Sequence, residues 1–190
     1  MPPKRRRIEN IDDQLGYDPD ENPYKIPSSN HYKGCYAIGV DDPGSGKQRI
    51  AIKIGMGGYS VTGKSDTDGN HNLFSRIRNY NTCFPDGVFI YSLMFLTGAV
   101  KGSVKQKSEY LRQIENEILN LLDKYRHKSK LNVRLRGKSE WVDASVRQVR
   151  NAFVTVQKNH GNKLFVLFPA QKLLPGEKPH VGLPSTRKRK

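Results

Sequence analysis

Two short runs rich in β-branched residues constrain the fold most. Residues 36–40 read YAIGV and residues 49–55 read RIAIKIG, and the DDPGSGKQ between them has the proline and glycine content of a turn. The pattern predicts an antiparallel hairpin. Its second strand ends on Gly55, Gly57 and Gly58. Because glycine has no Cβ, we expect the backbone there to come close to a large partner such as a phosphate backbone.

Helices and strands alternate after the hairpin. NLFSRIRNY at 72–80 predicts a short helix capped by Asn70 or Asn72, and VFIYSLMFL at 88–96 predicts a central strand. The sequence from Ser108 onward, EYLRQIENEILNLLDKYR, predicts the longest helix. The apolar stripe of that helix is expected to consist of Leu111, Ile114, Ile118, Leu121 and Leu122.

The last third of the chain contains three more predicted elements, and both ends of the chain differ from the domain between them. SEWVDAS at 139–145 is a short strand or a turn, VRQVRNAFVTVQKN at 146–159 is a helix, and LFVLF at 164–168 is a candidate last strand. The two ends of the chain are polar and rich in proline. We therefore predict an N-terminal arm over 1–30, one domain over 31–168, and a basic tail over 169–190.

The charge of the chain favours a polyanionic partner. It has 33 basic and 18 acidic residues, a net charge of +15, and residues 31–170 alone hold 22 basic and 11 acidic side chains. Solubility requires far less charge than this, whereas nucleic acid is attracted by it. The clusters PPKRRR and RKRK are interpreted as nuclear-localisation or phosphate-binding patches, with solvated termini as the alternative.

The sequence gives no sign of a membrane protein or a secreted one. The longest apolar run has nine residues, against the ~20 that a membrane span needs. The start, MPPKRRR, is not a secretory signal, and the two cysteines lack metal-ligand spacing. We expect an intracellular protein of a reducing compartment, with no membrane span.

Five short motifs occur in a fixed order: GCY at 34–36, KIG at 53–55, RIRNYNT at 76–82, the helix IENEILNLL at 114–122, and EWV at 140–142. In this order they resemble the GIY-YIG nuclease superfamily, in the branch common in phages and large DNA viruses whose second motif is K-I-G. The likeness covers about residues 32–155. It implies an α+β fold of the α/β sandwich kind, with a small three-stranded antiparallel sheet flanked by helices.

The resemblance also implies a Mg²⁺-dependent DNA endonuclease. Hydrolysis of a phosphodiester needs a positioned water, a base, a cation for the phosphate and usually a metal. By resemblance, Tyr36 orients or deprotonates the water, Arg76 holds the phosphate and Glu115 binds Mg²⁺. Lys53 adds a second positive charge or acts as a base. Further residues expected to contact DNA are Gly55, Gly57, Gly58, Lys64, Arg78 and Asn81.

Two of these assignments have close competitors. Arg76 is preferred to Arg78 because its place in the RIRNYNT motif matches the family, and Glu115 is preferred to Glu117 because it lies nearer the apolar stripe of its helix. Glu140 and Trp141 are interpreted as part of the site wall, with core packing as the alternative for the tryptophan.

The sequence departs from the family at several points, which keeps other functions open. Lys53 replaces the second tyrosine, the first turn is long, and the loop from residue 59 to 70 is an extension. The alternative is a catalytically inactive protein of the same fold, either DNA-binding or a minor capsid or virion component whose arms contact other virion proteins. With either function, the protein is expected in the nucleus, a viral factory or the virion. A basic protein of ribosomal or chromatin type is a third reading.

Overall fold

The computed structural model describes residues 33–58, 73–126, 139–169 and 171–177. Within these ranges the strands are β1 (Gly34–Gly39), β2 (Ile50–Gly57), β3 (Val88–Leu96), β4 (Trp141–Ala144), β5 (Leu164–Leu167) and β6 (Gln171–Leu173). The α-helices are α1 (Leu73–Asn81), α2 (Val104–Leu121) and α3 (Val146–His160). The predicted arm over 1–30, Lys64, both cap candidates (Asn70 and Asn72) and the terminal RKRK cluster lie outside the described residues.

The strands form one antiparallel sheet in the order β4-β2-β1-β3-β5, with β6 also paired to β3. The α+β class is therefore as expected, and the predicted hairpin is the β1–β2 pair. The expected three-stranded sheet is wrong in size, because the described part of the chain has six strands. The three additional strands extend the β2–β1–β3 centre at both sides.

The added strands are short because each covers only part of its neighbour. β4 pairs with the first half of β2, which confirms a strand within 139–145. β5 pairs with the C-terminal half of β3 and β6 with its N-terminal half. β6 falls in the segment predicted to be a tail, so the folded part of the chain continues past residue 168.

Helices cover both faces of the sheet. Alternate residues of a strand point to opposite faces, and β1 follows this rule: Tyr36 and Ile38 belong to the buried cluster that includes the apolar residues of α1, whereas Cys35 and Ala37 belong to the cluster under α2 and α3. The result is a layer of one helix, a sheet, and a layer of two helices. The candidate site lies where β1 and β2 meet α1 and α2.

Both long helices begin with a capping box. Ser103 Oγ accepts from Gln106 N at 3.3 Å while Gln106 Oε1 accepts from Ser103 N at 2.8 Å, and Ser145 and Gln148 repeat the arrangement before α3. These bonds satisfy backbone donors that the helix itself leaves free. Because of the first box, α2 begins at Val104, four residues before the predicted start at Ser108.

The predicted stripe of α2 is wrong at one position. At ~100° per residue, Leu121 lies about 65° and Leu119 about 95° from the mean direction of the other four stripe residues, so periodicity favours Leu121. The structure leaves Leu119 4% exposed and Leu121 47% exposed. The other four residues of the stripe are buried as predicted.

A C-terminal strap, residues 171–177, is tied to the end of α1. The buried Asn81 donates from Nδ2 to the carbonyl of Leu174, and Arg78 donates from Nε to the carbonyl of Gly176 at 3.1 Å. Asn81 is fully buried, so its amide is not on a surface where DNA could lie. Its interactions hold the strap against α1, and this role differs from the DNA contact expected of it.

Replacement of Asn81 with alanine should lower the free energy of unfolding by about 1–3 kcal/mol, because a fully buried side chain and its hydrogen bond to the carbonyl of Leu174 are lost. Urea unfolding followed by tryptophan fluorescence measures the change. Asn79→Ala, at an exposed position of the same helix, is the matched control and should change stability by less than about 0.5 kcal/mol. Equal effects of the two substitutions would contradict a structural role for Asn81.

Candidate active site

The β1–β2 register places Tyr36 and Lys53 on the same face of the sheet. Tyr36 lies opposite Gly55, and Ile38 lies opposite Lys53. Since residues two apart on a strand share a face, the side chains of Tyr36, Lys53 and Ile38 all point toward α1. The phenol and the ammonium group, which sequence reasoning assigned to one site, are therefore neighbours on one surface of the sheet.

Gly55 and Gly57 leave space that the protein itself fills. A Cβ on Gly55 would lie 2.5 Å from the hydroxyl oxygen of Tyr36, and a Cβ on Gly57 would lie 2.8 Å from the Cα of Leu73. The first glycine accommodates the tyrosine ring and the second the start of α1. The sequence predicts that this space receives a phosphate backbone. In the structure, side chain and backbone atoms of the protein occupy it instead. Gly58 has a φ of +123°, a conformation that favours glycine.

Lys53 is a buried cation with two partners. It is 4% exposed, its Nζ donates to Oε2 of Glu140, and it lies 4.8 Å from the centre of the Tyr80 ring. The main chain fixes Glu140 beside it, because the carbonyl of Glu140 accepts from Ile54 N at 2.9 Å. A carboxylate and an aromatic face are the surroundings that allow an ammonium group to be buried.

The two arginines of α1, Arg76 and Arg78, have different surroundings. Arg76 is exposed and, among the described residues, its guanidinium has no hydrogen bond or ion pair, yet its charge lowers the pKa of both Tyr36 and Glu115. Arg78 contacts the carbonyl of Gly176 in the C-terminal strap. Of the two, Arg76 is therefore the one whose charge acts on the candidate site.

The structure also distinguishes Glu115 from Glu117, the two glutamates of α2 considered for the metal site. Glu115 is half-buried and has no hydrogen bond or ion pair within the described residues. Burial raises the pKa of its carboxyl to about 7, with the negative charge of Glu140 adding to the increase and the positive charges of Lys53 and Arg76 opposing it. Glu117, by contrast, contacts His160 Nε2 at 2.9 Å on the side of α3.

Tyr36 is held in its neutral form. It is 1% exposed, and burial raises the pKa of its hydroxyl far above the usual value, with Tyr80 next in effect and Arg76 acting in the opposite direction. The phenol is therefore protonated at neutral pH. It can donate or accept a hydrogen bond, but it is a poor base.

Tyr80 and Glu140 complete the cluster, and of the two the sequence pointed only to Glu140, as part of the site wall. Tyr80 follows Arg76 by four positions and so shares its side of α1. Glu140 comes close to Lys53 because β4 pairs with β2 and places the residue after Glu140 opposite Lys53. That pairing joins segments 87 residues apart, which no local pattern reveals.

The donor chemistry of Glu115 fits a magnesium ion. Across the described ranges, no three side chains of His, Cys, Asp or Glu are grouped as metal ligands. Mg²⁺ keeps several of its waters and is commonly bound by one or two carboxylates together with substrate phosphates. A half-buried carboxylate that has no partner in the described part of the chain, and whose pKa an exposed arginine lowers, is compatible with such a site.

No protein-family model, curated protein or solved structure matches the chain. Among the residues that the structure describes, no helix is both long enough and apolar enough to cross a membrane.

Proposed function

We propose that this protein is a GIY-YIG-type DNA endonuclease that hydrolyses phosphodiesters with the help of Mg²⁺. The main support is the electrostatic coupling of Tyr36, Lys53, Arg76 and Glu115, which come from β1, β2, α1 and α2 in turn. Their charges act on one another's pKa: Lys53 and Arg76 lower the pKa of Glu115, and Arg76 lowers that of Tyr36. Ionisable groups that are gathered and perturbed in this way are typical of active sites.

Each side chain has a task that its surroundings allow. Arg76, exposed and without a partner among the described residues, binds the phosphate through the planar fork of its guanidinium. Tyr36, neutral and fixed against Gly55, orients the attacking water or a phosphate oxygen by hydrogen bonding. Lys53 contributes positive charge beside them. Glu115 in its ionised form would hold Mg²⁺, which supplies charge neutralisation at the phosphate when bound.

The decisive experiment uses supercoiled plasmid and the full-length protein. With Mg²⁺ present, we expect nicked and linear products to accumulate, and EDTA should abolish them. Binding of the plasmid without any cleavage, at all pH values between about 6 and 9 around the raised pKa of Glu115, would contradict the enzymatic assignment.

The second candidate is a DNA-binding or virion protein that keeps the fold without the activity. Two observations favour it: Lys53 stands where the family has its second tyrosine and is neutralised by Glu140, and the Tyr36 hydroxyl is buried. Such a protein should bind duplex DNA with an affinity that falls steeply with salt and does not depend on Mg²⁺. A gel-shift titration beside the cleavage assay distinguishes the two functions.

A further inference from the structure

In the ion pair between Lys53 and Glu140, the Lys53 side chain is buried and the Glu140 side chain is half exposed. The side chain of Lys53 is 5% exposed and is covered by the Tyr80 ring, whereas the side chain of Glu140 is 51% exposed. The main chain of Glu140 is tied to β2 through Ile54 N. Its carboxylate can therefore move into solvent without any change in the sheet, but the ammonium group of Lys53 cannot.

The carboxylate of Glu140 accepts the hydrogen bond from Lys53 Nζ that another anionic oxygen could accept in its place. A carboxylate and a phosphate oxygen are equivalent acceptors for an ammonium group. Glu140 also lies close to the rest of the site, since its charge raises the pKa of Tyr36 and of Glu115. A phosphate bound by Arg76 would therefore meet a negative charge at Lys53 as long as Glu140 stays in place.

We propose that Glu140 is an anionic cover for Lys53 that a substrate phosphate displaces, so that Glu140 sets how tightly the site holds phosphate groups. That the displacing phosphate belongs to a phosphodiester of nucleic acid rests on the proposed function. The exchange itself follows from the ion pair. A buried ammonium group without a counter-ion is costly, so Lys53 keeps Glu140 until a second anion replaces it.

The first test is duplex DNA binding in EDTA, measured by fluorescence anisotropy with the full chain. Glu140→Gln keeps the size and polarity of the side chain but removes its charge, and it should tighten binding about 3- to 5-fold, the scale of one partly exposed ion pair. Glu109→Gln changes the net charge equally at an exposed position of α2, and it should change affinity by less than about 2-fold.

A Lys53→Met background separates displacement from general charge repulsion. If Glu140 acts by covering Lys53, Glu140→Gln no longer tightens DNA binding once the ammonium group is gone. Tightening of the same size in both backgrounds would overturn the proposal, because a long-range charge effect does not need Lys53. Affinity of Glu140→Gln no greater than that of Glu109→Gln would overturn it as well.

The second test does not depend on DNA. Thermal unfolding is measured in sodium phosphate and in sodium chloride of equal ionic strength, with inorganic phosphate as the probe. Phosphate should raise the midpoint of Glu140→Gln more than that of the wild-type protein, and this difference should vanish in the Lys53→Met background. Equal shifts in the wild-type protein and Glu140→Gln would overturn the proposal. A wild-type protein without measurable affinity for DNA would overturn the proposed function, and the phosphate measurement then decides the role of Glu140 by itself.

Discussion

Replacement of Glu115 with glutamine should make the protein more stable at pH 8 while it abolishes Mg²⁺-dependent cleavage. In the folded protein the pKa of Glu115 is about 7, against an ordinary value of 4.5. The stability that this carboxyl contributes is fully present below pH 4.5 and is lost as the pH rises through 7, because the folded protein must then keep a half-buried negative charge. Glutamine carries no charge at either pH.

The gain in the free energy of unfolding should be near zero at pH 4.5 and about 1–3 kcal/mol at pH 8. Urea unfolding at both pH values measures it. Glu117→Gln is the matched control on the same helix: it weakens the contact with His160, so it should lower stability by roughly 1 kcal/mol or less. A stability difference for Glu115→Gln that does not change with pH would contradict the raised pKa.

Under the proposed function, the same pKa predicts how DNA cleavage by the wild-type protein depends on pH. Glu115 must be ionised to bind a metal ion, so the Mg²⁺ concentration needed for half-maximal cleavage should fall as the pH rises through about 7. Initial rates at a series of Mg²⁺ concentrations, from about pH 6 to 8.5, measure this. A Mg²⁺ requirement that is constant over this range would assign metal binding to another group.

A stabilising substitution that removes activity is what a functional carboxylate should give. Structural side chains are placed where they contact a partner, as Glu117 does with His160. Glu115 has no such partner among the described residues and is nevertheless half-buried. Proteins tolerate such a cost at functional sites, where activity and stability are often in conflict.

Local periodicity was sufficient to predict the central elements. The hairpin, the short helix and the strand at 88–96 were all predicted, because alternation of apolar residues and turn chemistry act within about ten residues. The start of α2 could also have been predicted, since Ser103 and Gln106 have the spacing of a capping box. The prediction began the helix at Ser108 because it followed only the apolar stripe.

Features that depend on distant contacts were not predictable in the same way. β6 has only three residues, and it is a strand because β3 offers it a free edge. The sequence predicts a close approach of a large group to Gly55 and Gly57, but not that the group is Tyr36 or α1, because these approach from other parts of the chain. Glu140 reaches Lys53 only through the pairing of β4 with β2.

Arg76→Ala should lower the rate of DNA cleavage by about 10²–10³-fold, the usual effect of removing one group that stabilises charge in a transition state. Arg78→Ala should lower it by less than about 10-fold. The opposite order is expected for stability: Arg76 has no hydrogen bond or ion pair among the described residues, whereas Arg78 loses its bond to the carbonyl of Gly176. Arg76→Ala should therefore be the more stable of the two variants.

Arg76→Lys tests the chemistry of the contact. Lysine keeps the charge but lacks the planar fork, so it should restore binding of DNA more than it restores the maximal rate. Single-turnover cleavage and anisotropy on the same duplex separate these effects. Full recovery of the rate by lysine would mean that Arg76 acts only as a point charge. A greater loss of cleavage in Arg78→Ala than in Arg76→Ala would move the phosphate toward the C-terminal strap, away from Tyr36 and Lys53.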